Sequence, residues 1–289
     1  MDFSILTRTK QASSIPDFQR EDSVWVRSDE EKRNALFNRY TQQTNQDNVA
    51  ERTIYLNNIK SHFSEEIPDE LATIESIRDV IRRKGESAPG PDGIRYSHMN
   101  DMCDADVEAL TAAFNNSLSS GEIPDDWLDS HLVPVPKPEK DPSKIASYRI
   151  ITLQNTISKV LESIVASRLA SELECKYILP PTLGSYRKGK ATWENAAVLA
   201  SDVYDGFERG EETLVTALDL EDAYNRVHYD ILLRTLINMR ISPTLIIWIG
   251  AAMLKRKVAM RLGCWASTKS SITPGALLGR VIGYQLVKR

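Results

Sequence analysis

The chain of 289 residues has a hydrophobic fraction of 42%, a charged fraction of 26% and a formal net charge of −4 at pH 7. These values exclude a disordered or fibrous chain and indicate a globular protein of one large or two small domains. Three widely separated cysteines, Cys103, Cys175 and Cys264, fit neither a disulfide framework nor a paired metal site, so we expect an intracellular, reducing location.

Periodicity predicts helices in the first part of the chain. Residues 1–60 form a polar lead-in, helical or loose, to which we assign no chemistry. Asp69 to Lys84 has apolar residues at helical spacing, and Gly85 ends this helix. A Pro/Gly loop follows, and a second amphipathic helix is predicted from Asp104 to Leu118. Gly121 is expected to end that helix.

A strand pair and further helices are predicted in the rest of the chain. Leu132 to Val135 alternates with prolines, which lack the N–H group of a strand ladder, so this strand is predicted to be irregular or to lie at an edge. Tyr148 to Leu153 is predicted to be its antiparallel partner. Ile157 to Leu169 and Trp193 to Phe207 are predicted to be long helices, and Leu245 to Leu254 a buried helix.

The most informative segment runs from Leu214 to Val227. Its apolar, β-rich start predicts a buried strand that delivers the carboxylate of Asp219 to a site, followed by a helix. A carboxylate there binds Mg²⁺ well, because this hard cation prefers oxygen ligands. A helix N-cap at Asp219 or Asp222 is the alternative, since aspartate is a common cap.

Positive charge is unevenly distributed along the chain. Two basic tracts flank the aspartate segment, and no acid follows Ala251. Such tracts can neutralise the phosphates of a nucleic acid or a nucleotide, whereas solvated surface lysines are the alternative. The first tract contains Lys137, Lys140, Lys144, Arg149, Arg187, Lys188 and Lys190, and the second contains Lys255, Arg256, Lys257, Arg261 and Lys269.

Several segments occur in the order found in reverse transcriptases of non-LTR (LINE-type) retrotransposons. The chain resembles that family from roughly Glu70 to Gly275. Each segment alone is weak evidence, whereas the ordered set is specific. In chain order the segments are SAPGPDGI at 87–94, HLVPVPKP at 131–138, SYRIITL at 147–153, LGSYRKGKAT at 183–192 and the aspartate segment.

The resemblance implies an α+β fold of the right-hand polymerase type, with fingers, an incomplete palm and no thumb. We expect residues 61–212 to form the fingers-like part and residues 213–289 a partial palm with an off-pattern tail. Val258 to Leu262 is expected to be a palm strand. The family segment Thr-Pro-Gly-Leu-Pro-Gln-Gly-Ser-Pro begins correctly at Thr273 and departs after Gly275.

The resemblance also assigns a metal site and a sugar contact. Asp219 matches the first metal-binding aspartate, and the carbonyl of Leu220 is a further candidate ligand for Mg²⁺ or Mn²⁺. Ala223 and Tyr224 match the Ala-Tyr pair at the nucleotide, where the tyrosine ring excludes a 2′-hydroxyl. Two-metal nucleotidyl transfer needs further carboxylates, which the family takes from an aromatic-Ala-Asp-Asp segment. Because the last aspartate is Asp230, we expect a domain truncated within the palm and inactive as a polymerase.

Cationic residues are assigned to the nucleotide and the nucleic acid. Arg149 matches the family's triphosphate-binding arginine, although Ile150 stands where the family usually has proline. Lys137 is the second nucleotide-binding candidate. The candidate nucleic-acid-binding residues are Arg187, Lys188 and Lys190.

The expected partners are those of the family. They are an RNA template, a DNA primer and deoxynucleotide triphosphates, in the nucleus or the cytoplasm. No apolar run is long enough to cross a bilayer, so no membrane partner is expected. Two alternatives stay open: a nucleic-acid-binding or interaction remnant without catalysis, and an active polymerase completed by another chain or by downstream sequence.

Overall fold

The computed structural model describes residues 15–42, 49–63, 72–184, 187–218, 227–263 and 265–271. Within these residues the chain forms a helical part and a mixed sheet. The helices are α1 (Asp29–Gln42), α2 (Val49–His62), α3 (Ile74–Arg83), α4 (Tyr96–Asn100), α5 (Asp104–Ser120), α6 (Thr156–Cys175), α7 (Thr192–Glu208), α8 (Tyr229–Asn238) and α9 (Pro243–Leu254). The strands are β1 (Phe18–Gln19), β2 (Trp25–Val26), β3 (Asp129–Pro136), β4 (Tyr148–Gln154), β5 (Lys257–Leu262), β6 (Trp265–Ala266) and β7 (Ser270–Ser271).

The main sheet has the order β4-β3-β5-β6, and β7 also pairs with β5. The β3 and β4 strands form an antiparallel pair, which confirms the predicted partnership, whereas β3 and β5 run parallel. The predicted strand at Val258 to Leu262 is thus confirmed as β5, and it joins the same sheet as the β3–β4 hairpin. The short strands β6 and β7 pair antiparallel with β5 on the side opposite to β3.

The two faces of this sheet have different surroundings. Paired residues point to the same face of a sheet, and successive residues alternate between faces. On one face Leu132, Val258 and Met260 are fully buried against Phe18, Leu36 and other residues of β1, β2 and α1. We call this the covered face. The opposite face, called the open face, carries mostly exposed or half-buried side chains, although Asp129 and Ala259 on it are buried. The exposed and half-buried residues are His131, Val133, Val135, Arg149, Ile151, Leu153, Lys257 and Arg261.

The prediction of an edge or irregular strand at Leu132 to Val135 is confirmed for Val133 to Val135, which pair with β4 alone, and was wrong for Leu132, which also pairs with β5. Asp129 to Leu132 lies between β4 and β5. The prolines come later, where β5 no longer pairs with β3. The N–H of Lys137 donates to the carbonyl of Ser147, so the alternating nitrogens of Pro134 and Pro136 point away from β4. Neither proline therefore removes a hydrogen bond from the sheet.

A second core lies among the helices. Helix α9 packs against α2, α5 and α8, and α3 packs against α5 and α6. The largest buried side chain in this core is Trp248, which is accompanied by Phe114, Leu161 and Leu245. The prediction of a buried helix at Leu245 to Leu254 is confirmed.

The other predicted helices are also confirmed, although the described part of the helix predicted from Asp69 to Lys84 begins at Ile74. Local end signals explain these bounds. The side chain of Thr73 accepts the N–H of Ser76 at 3.1 Å, which begins α3 at Ile74. Helix α5 ends at Gly121, which has φ +64°, a left-handed conformation that favours glycine. Long helices occur at α6 and α7 as expected, and the described part of the lead-in is largely α1 and α2.

The prediction of a buried strand from Leu214 was wrong in the part that the structure describes. Residues 211–218 have no regular secondary structure, and Leu214 and Leu218 are 92% and 91% exposed. A strand needs a partner for its backbone groups. Among the described residues, β3 occupies one side of β5 and β6 with β7 the other, so neither side is open to this segment.

The Pro/Gly loop is fixed to the start of α6 by side-chain hydrogen bonds. The Oδ1 atom of Asn155 accepts the N–H of Asp92 at 3.1 Å. The ammonium of Lys159 donates to the carbonyl of Ala88 at 2.8 Å, and Thr156 donates to the carbonyl of Ile94. These contacts hold the loop directly against the end of β4.

Gly90 is required for this close approach. A Cβ atom at this position would lie 2.4 Å from Asn155 N and Oδ1 and from the carbonyl carbon of Gln154. We expect Gly90→Ala to lower the free energy of unfolding by about 1–3 kcal/mol, because backbone must move to relieve the overlap. Urea unfolding would measure the change. The matched control is Gly85→Ala, since a Cβ there meets nothing within 4 Å, and equal losses for both variants would contradict this explanation.

Candidate nucleic-acid interface

Arg149 is the main cation of the open face. It lies on β4 opposite Val135 of β3, and its side chain is exposed. The guanidinium makes no hydrogen bond or ion pair with another residue in the described part of the chain. Its donors are therefore available for a ligand, and a guanidinium can hold two phosphate oxygens at once.

Lys137 lies beside Arg149 at the loop end of the β3–β4 hairpin. Its backbone N–H donates to Ser147, and its ammonium donates to the carbonyl of Ala146 at 2.9 Å. A lysine ammonium has three donors, so this contact positions the group and leaves donors for a ligand. The structure thus brings the two predicted nucleotide-binding cations to the same end of one hairpin.

Arg261 and His131 extend the open face toward β5. Arg261 is exposed, and its Nε donates to the carbonyl of Gly263 at 3.0 Å. Burial lowers the pKa of the half-buried His131, and the nearby Arg261 guanidinium lowers it further. We therefore expect a neutral imidazole at pH 7. Sequence analysis gave His131 no role, although its alternation with Val133 and Val135 could have placed it on this face.

The other end of β3 carries acids that are paired within the chain. Lys257 lies 2.7 Å from Asp125, and Lys269 forms an ion pair with Asp129. The hydrogen bond from Lys257 lowers the pKa of Asp125. Arg256 is buried against Glu162. Three members of the second basic tract are thus engaged with carboxylates, whereas Arg261 lies on the open face with no carboxylate partner among the described residues.

The three predicted nucleic-acid-binding residues between α6 and α7 have different surroundings. The Arg187 guanidinium donates to both oxygens of Glu174, at 2.7 and 2.6 Å, and to the carbonyls of Pro180 and Leu183. It therefore fixes the chain after α6. Lys190 lies 3.7 Å from Glu194, and Lys188 is exposed. Their binding to nucleic acid stays a prediction.

The predicted metal and sugar contacts lie outside the described residues. They are Asp219, Leu220, Ala223 and Tyr224. Within the described ranges, no three His, Cys, Asp or Glu side chains come together in a way that could hold a metal ion. The same residues contain no helix with the length and apolar character needed to span a membrane.

Comparisons with known proteins identify sequences that are similar to this chain. Residues 135–278 match the family described as reverse transcriptase (RNA-dependent DNA polymerase). The chain is 26% identical over 204 residues to a probable RNA-directed DNA polymerase from transposon X-element of Drosophila melanogaster, a match that covers 71% of this chain. It is 23% identical over 266 residues, or 90% of this chain, to the RNA-directed DNA polymerase from mobile element jockey of the same fly.

The matched part is a fraction of each relative. The alignments cover 22% of the X-element protein and 29% of the jockey protein. A retrovirus-related Pol polyprotein from type-1 retrotransposable element R1 of Bradysia coprophila is 30% identical over 44% of this chain and 12% of its own length. The matched family and these retrotransposon relatives agree, and the chain contains a reverse transcriptase domain of the non-LTR (LINE-type) retrotransposon family.

Proposed function

We propose that this chain is the nucleotide- and template-holding part of an RNA-directed DNA polymerase from a non-LTR retrotransposon. The observation that carries the proposal is the open face, where Arg149 presents a guanidinium with no partner among the described residues. A rigid sheet holds that cation in place. The matched family indicates the type of reaction, RNA-dependent DNA synthesis. The sheet provides the surface on which the nucleotide and the template would bind.

The open face combines the two kinds of contact that a nucleic acid needs. Arg149, Lys137 and Arg261 offer positive charge, which binds phosphates and orients a triphosphate. Between them lie half-buried Val133, Val135, Ile151 and Leu153, which can pack against sugars and bases. His131 stays neutral, so it adds no charge to this apolar strip.

The finer assignments rest on the family resemblance. We assign residues 61–212, which include the β3–β4 hairpin, to the fingers, and residues 213–289 to part of a palm. Asp219 and the carbonyl of Leu220 are the proposed Mg²⁺ or Mn²⁺ ligands, and Tyr224 beside Ala223 is the proposed sugar filter. RNA template, DNA primer and deoxynucleotide triphosphates are the proposed partners, in the nucleus or the cytoplasm.

Catalysis requires more carboxylates than the proposed site contains. Two divalent cations held close together are stabilised by several surrounding acids. Residues 231–289 contain no aspartate or glutamate. We therefore propose that residues 1–289 bind the substrates but do not extend a primer by themselves.

A binding measurement tests the proposed interface. The anisotropy of a labelled RNA–DNA primer–template would be followed as the chain is added at several salt concentrations. Affinity should fall as salt rises, because each neutralised phosphate releases counterions on binding. We expect Arg149→Ala to weaken binding about tenfold at low salt and to reduce the salt slope by about one. Lys137→Ala should act in the same direction.

The matched control is Arg234→Ala, which removes an exposed arginine from α8. This variant should bind like the wild type. If Arg149→Ala and Arg234→Ala weaken binding equally, the affinity comes from general positive charge and the open face is not the interface.

A nucleic-acid-binding role without catalysis is the second candidate. The absence of acids after Asp230 favours it. Direct binding of a labelled deoxynucleotide triphosphate in Mg²⁺ to the chain with primer–template bound separates the two roles. A polymerase part should bind the triphosphate together with the primer–template and lose that binding in Arg149→Ala, whereas a simple nucleic-acid binder should not form this ternary complex and should release the primer–template as the polyanionic triphosphate is added.

A further inference from the structure

Helices α6 and α8 both end in a turn where a bulky residue has a left-handed backbone. Tyr177 follows α6 with φ +52°, and Arg240 follows α8 with φ +54°. In each turn the next residue donates its N–H to a carbonyl of the last helical turn, at 3.0 Å for Ile178 and 3.1 Å for Ile241. Glycine is the usual residue at this position of such a turn, because a side chain makes the left-handed conformation costly.

The two turns lie side by side. The Lys176 ammonium donates to the carbonyl of Arg240 at 2.5 Å and pairs with Glu172 at 2.9 Å. The same glutamate accepts the N–H of Ser242 at 2.9 Å. These contacts join the end of α6 to the turn after α8, and we call the resulting surface the Tyr177–Arg240 corner.

Both side chains that name this corner are open to solvent. Tyr177 is 92% exposed, and Arg240 is also exposed. Within the described ranges neither side chain makes a hydrogen bond, an ion pair or a ring contact. Internal packing therefore gives no reason for a bulky residue in place of glycine, and strained positions of this kind are found at functional sites.

The acids of the corner already have cationic partners. Lys176 pairs with Glu172, and the Arg187 guanidinium donates to both oxygens of Glu174. The Arg240 guanidinium is therefore available for an anion from outside the chain. Its planar donors suit the oxygens of a phosphate.

The corner is separate from the open face. Helix α6 begins just after β4 ends and has 20 residues. At a rise of 1.5 Å per residue, the corner lies about 30 Å from the end of β4. Lys188, which is exposed and follows Arg187, lies near the same end of α6 and adds a further cation.

An exposed aromatic ring beside cations is the combination that binds single strands, because a base stacks on the ring while the cations bind phosphates. We propose that the Tyr177–Arg240 corner binds a single strand of nucleic acid. The Tyr177 ring stacks on a base, and the Arg240 guanidinium binds a neighbouring phosphate. This site is additional to the open face and does not depend on the proposed polymerase function.

Binding of a labelled single-stranded oligoadenylate to the full chain, followed by fluorescence anisotropy, tests this site. We expect Tyr177→Gly to weaken binding about tenfold, because one base loses its stacking partner. Arg240→Gly should weaken it by a similar factor and reduce the salt slope by about one. The urea midpoint of neither variant should fall, since glycine relieves the left-handed backbone. The deoxy form of the same oligonucleotide shows whether the site prefers RNA or DNA.

Three further variants make the test specific. Tyr177→Phe keeps the ring and should bind like the wild type. Ser23→Gly relieves a left-handed backbone of φ +66° in another turn, and Arg234→Ala removes an exposed arginine of α8. Neither of these two changes should alter binding of the oligonucleotide.

Two outcomes would overturn the proposal. One is that Tyr177→Gly and Arg240→Gly bind the single strand like the wild type. The other is that Arg234→Ala weakens binding as much as Arg240→Gly, which would show that general positive charge holds the strand. The primer–template measurement with Arg149→Ala tests the open face separately, so the failure of one site is distinguished from the failure of the other.

Discussion

Replacing Glu162 by alanine is expected to lower the free energy of unfolding by about 3–5 kcal/mol, because it leaves a buried arginine without its carboxylate. Glu162 is 0% exposed, and its Oε1 accepts from Arg256 Nη2 at 2.7 Å and from Gln154 Nε2 at 2.6 Å. Burial raises the pKa of Glu162, and the Arg256 guanidinium opposes that shift. Urea unfolding of the variant would measure the loss.

The position of this pair explains why the effect should be large. Glu162 lies on α6 in the helical part, Gln154 ends β4, and Arg256 lies between α9 and β5. The ion pair therefore joins the helical core to the sheet that carries the open face. Loss of one partner affects both cores.

A double variant provides the control. Glu162→Leu with Arg256→Met removes both charges and leaves apolar side chains of similar volume. It should cost less than either single alanine substitution, because no uncompensated charge remains. Costs that simply add would show that the two side chains act independently and would contradict the ion-pair explanation.

Trp248→Ala is the second large effect that we expect, with a loss of about 3–5 kcal/mol for a large aromatic removed from a core. Trp248 is almost completely buried on α9, and its indole N–H donates to Ser117 Oγ of α5 at 3.3 Å. Thermal or urea unfolding measures the change. Trp248→Phe should lose less, because most of the volume remains.

The exposed Trp25 provides the control for the Trp248 substitution. Trp25 on β2 is about half exposed, so Trp25→Ala should cost much less than Trp248→Ala. A similar cost for the two substitutions would mean that α9 does not anchor the helical core as the structure indicates.

Sequence analysis located elements whose signals are local. Thr73 caps α3, Gly121 ends α5, and the apolar spacing of α6 and α9 identifies their buried sides. The β3–β4 pair was also predictable, because two β-rich segments lie close together in the chain. These features depend on neighbours within a few turns or one hairpin.

Long-range pairing was not predictable in the same way. The β5 strand joins β3 across more than one hundred residues, so the sequence did not show that β3 would be interior at Asp129 to Leu132. The apolar character of Leu214 to Leu218 suggested a buried strand, but burial depends on a partner. Apolar composition alone does not supply one.

The ion pairs of the charged residues were likewise not predictable from the sequence, because their partners lie far apart along the chain. Arg256, Lys257 and Lys269 formed a basic tract in sequence, whereas each is paired with a carboxylate in the structure. Arg187 was assigned to nucleic acid, and its donors are taken up by Glu174 and two carbonyls. Arg149 was assigned by resemblance, and the structure adds its exposed position on the open face.

Primer extension tests the central claim that residues 1–289 hold the substrates of a reverse transcriptase without completing its catalytic site. The wild type and Asp219→Ala would be incubated with an RNA template, a labelled DNA primer, deoxynucleotides and Mg²⁺, and binding and extension would be read in the same reaction. We predict that both proteins bind the primer–template and that neither extends it. Extension by the wild type that Asp219→Ala abolishes would contradict the claim, because the missing carboxylates would then be present in this chain.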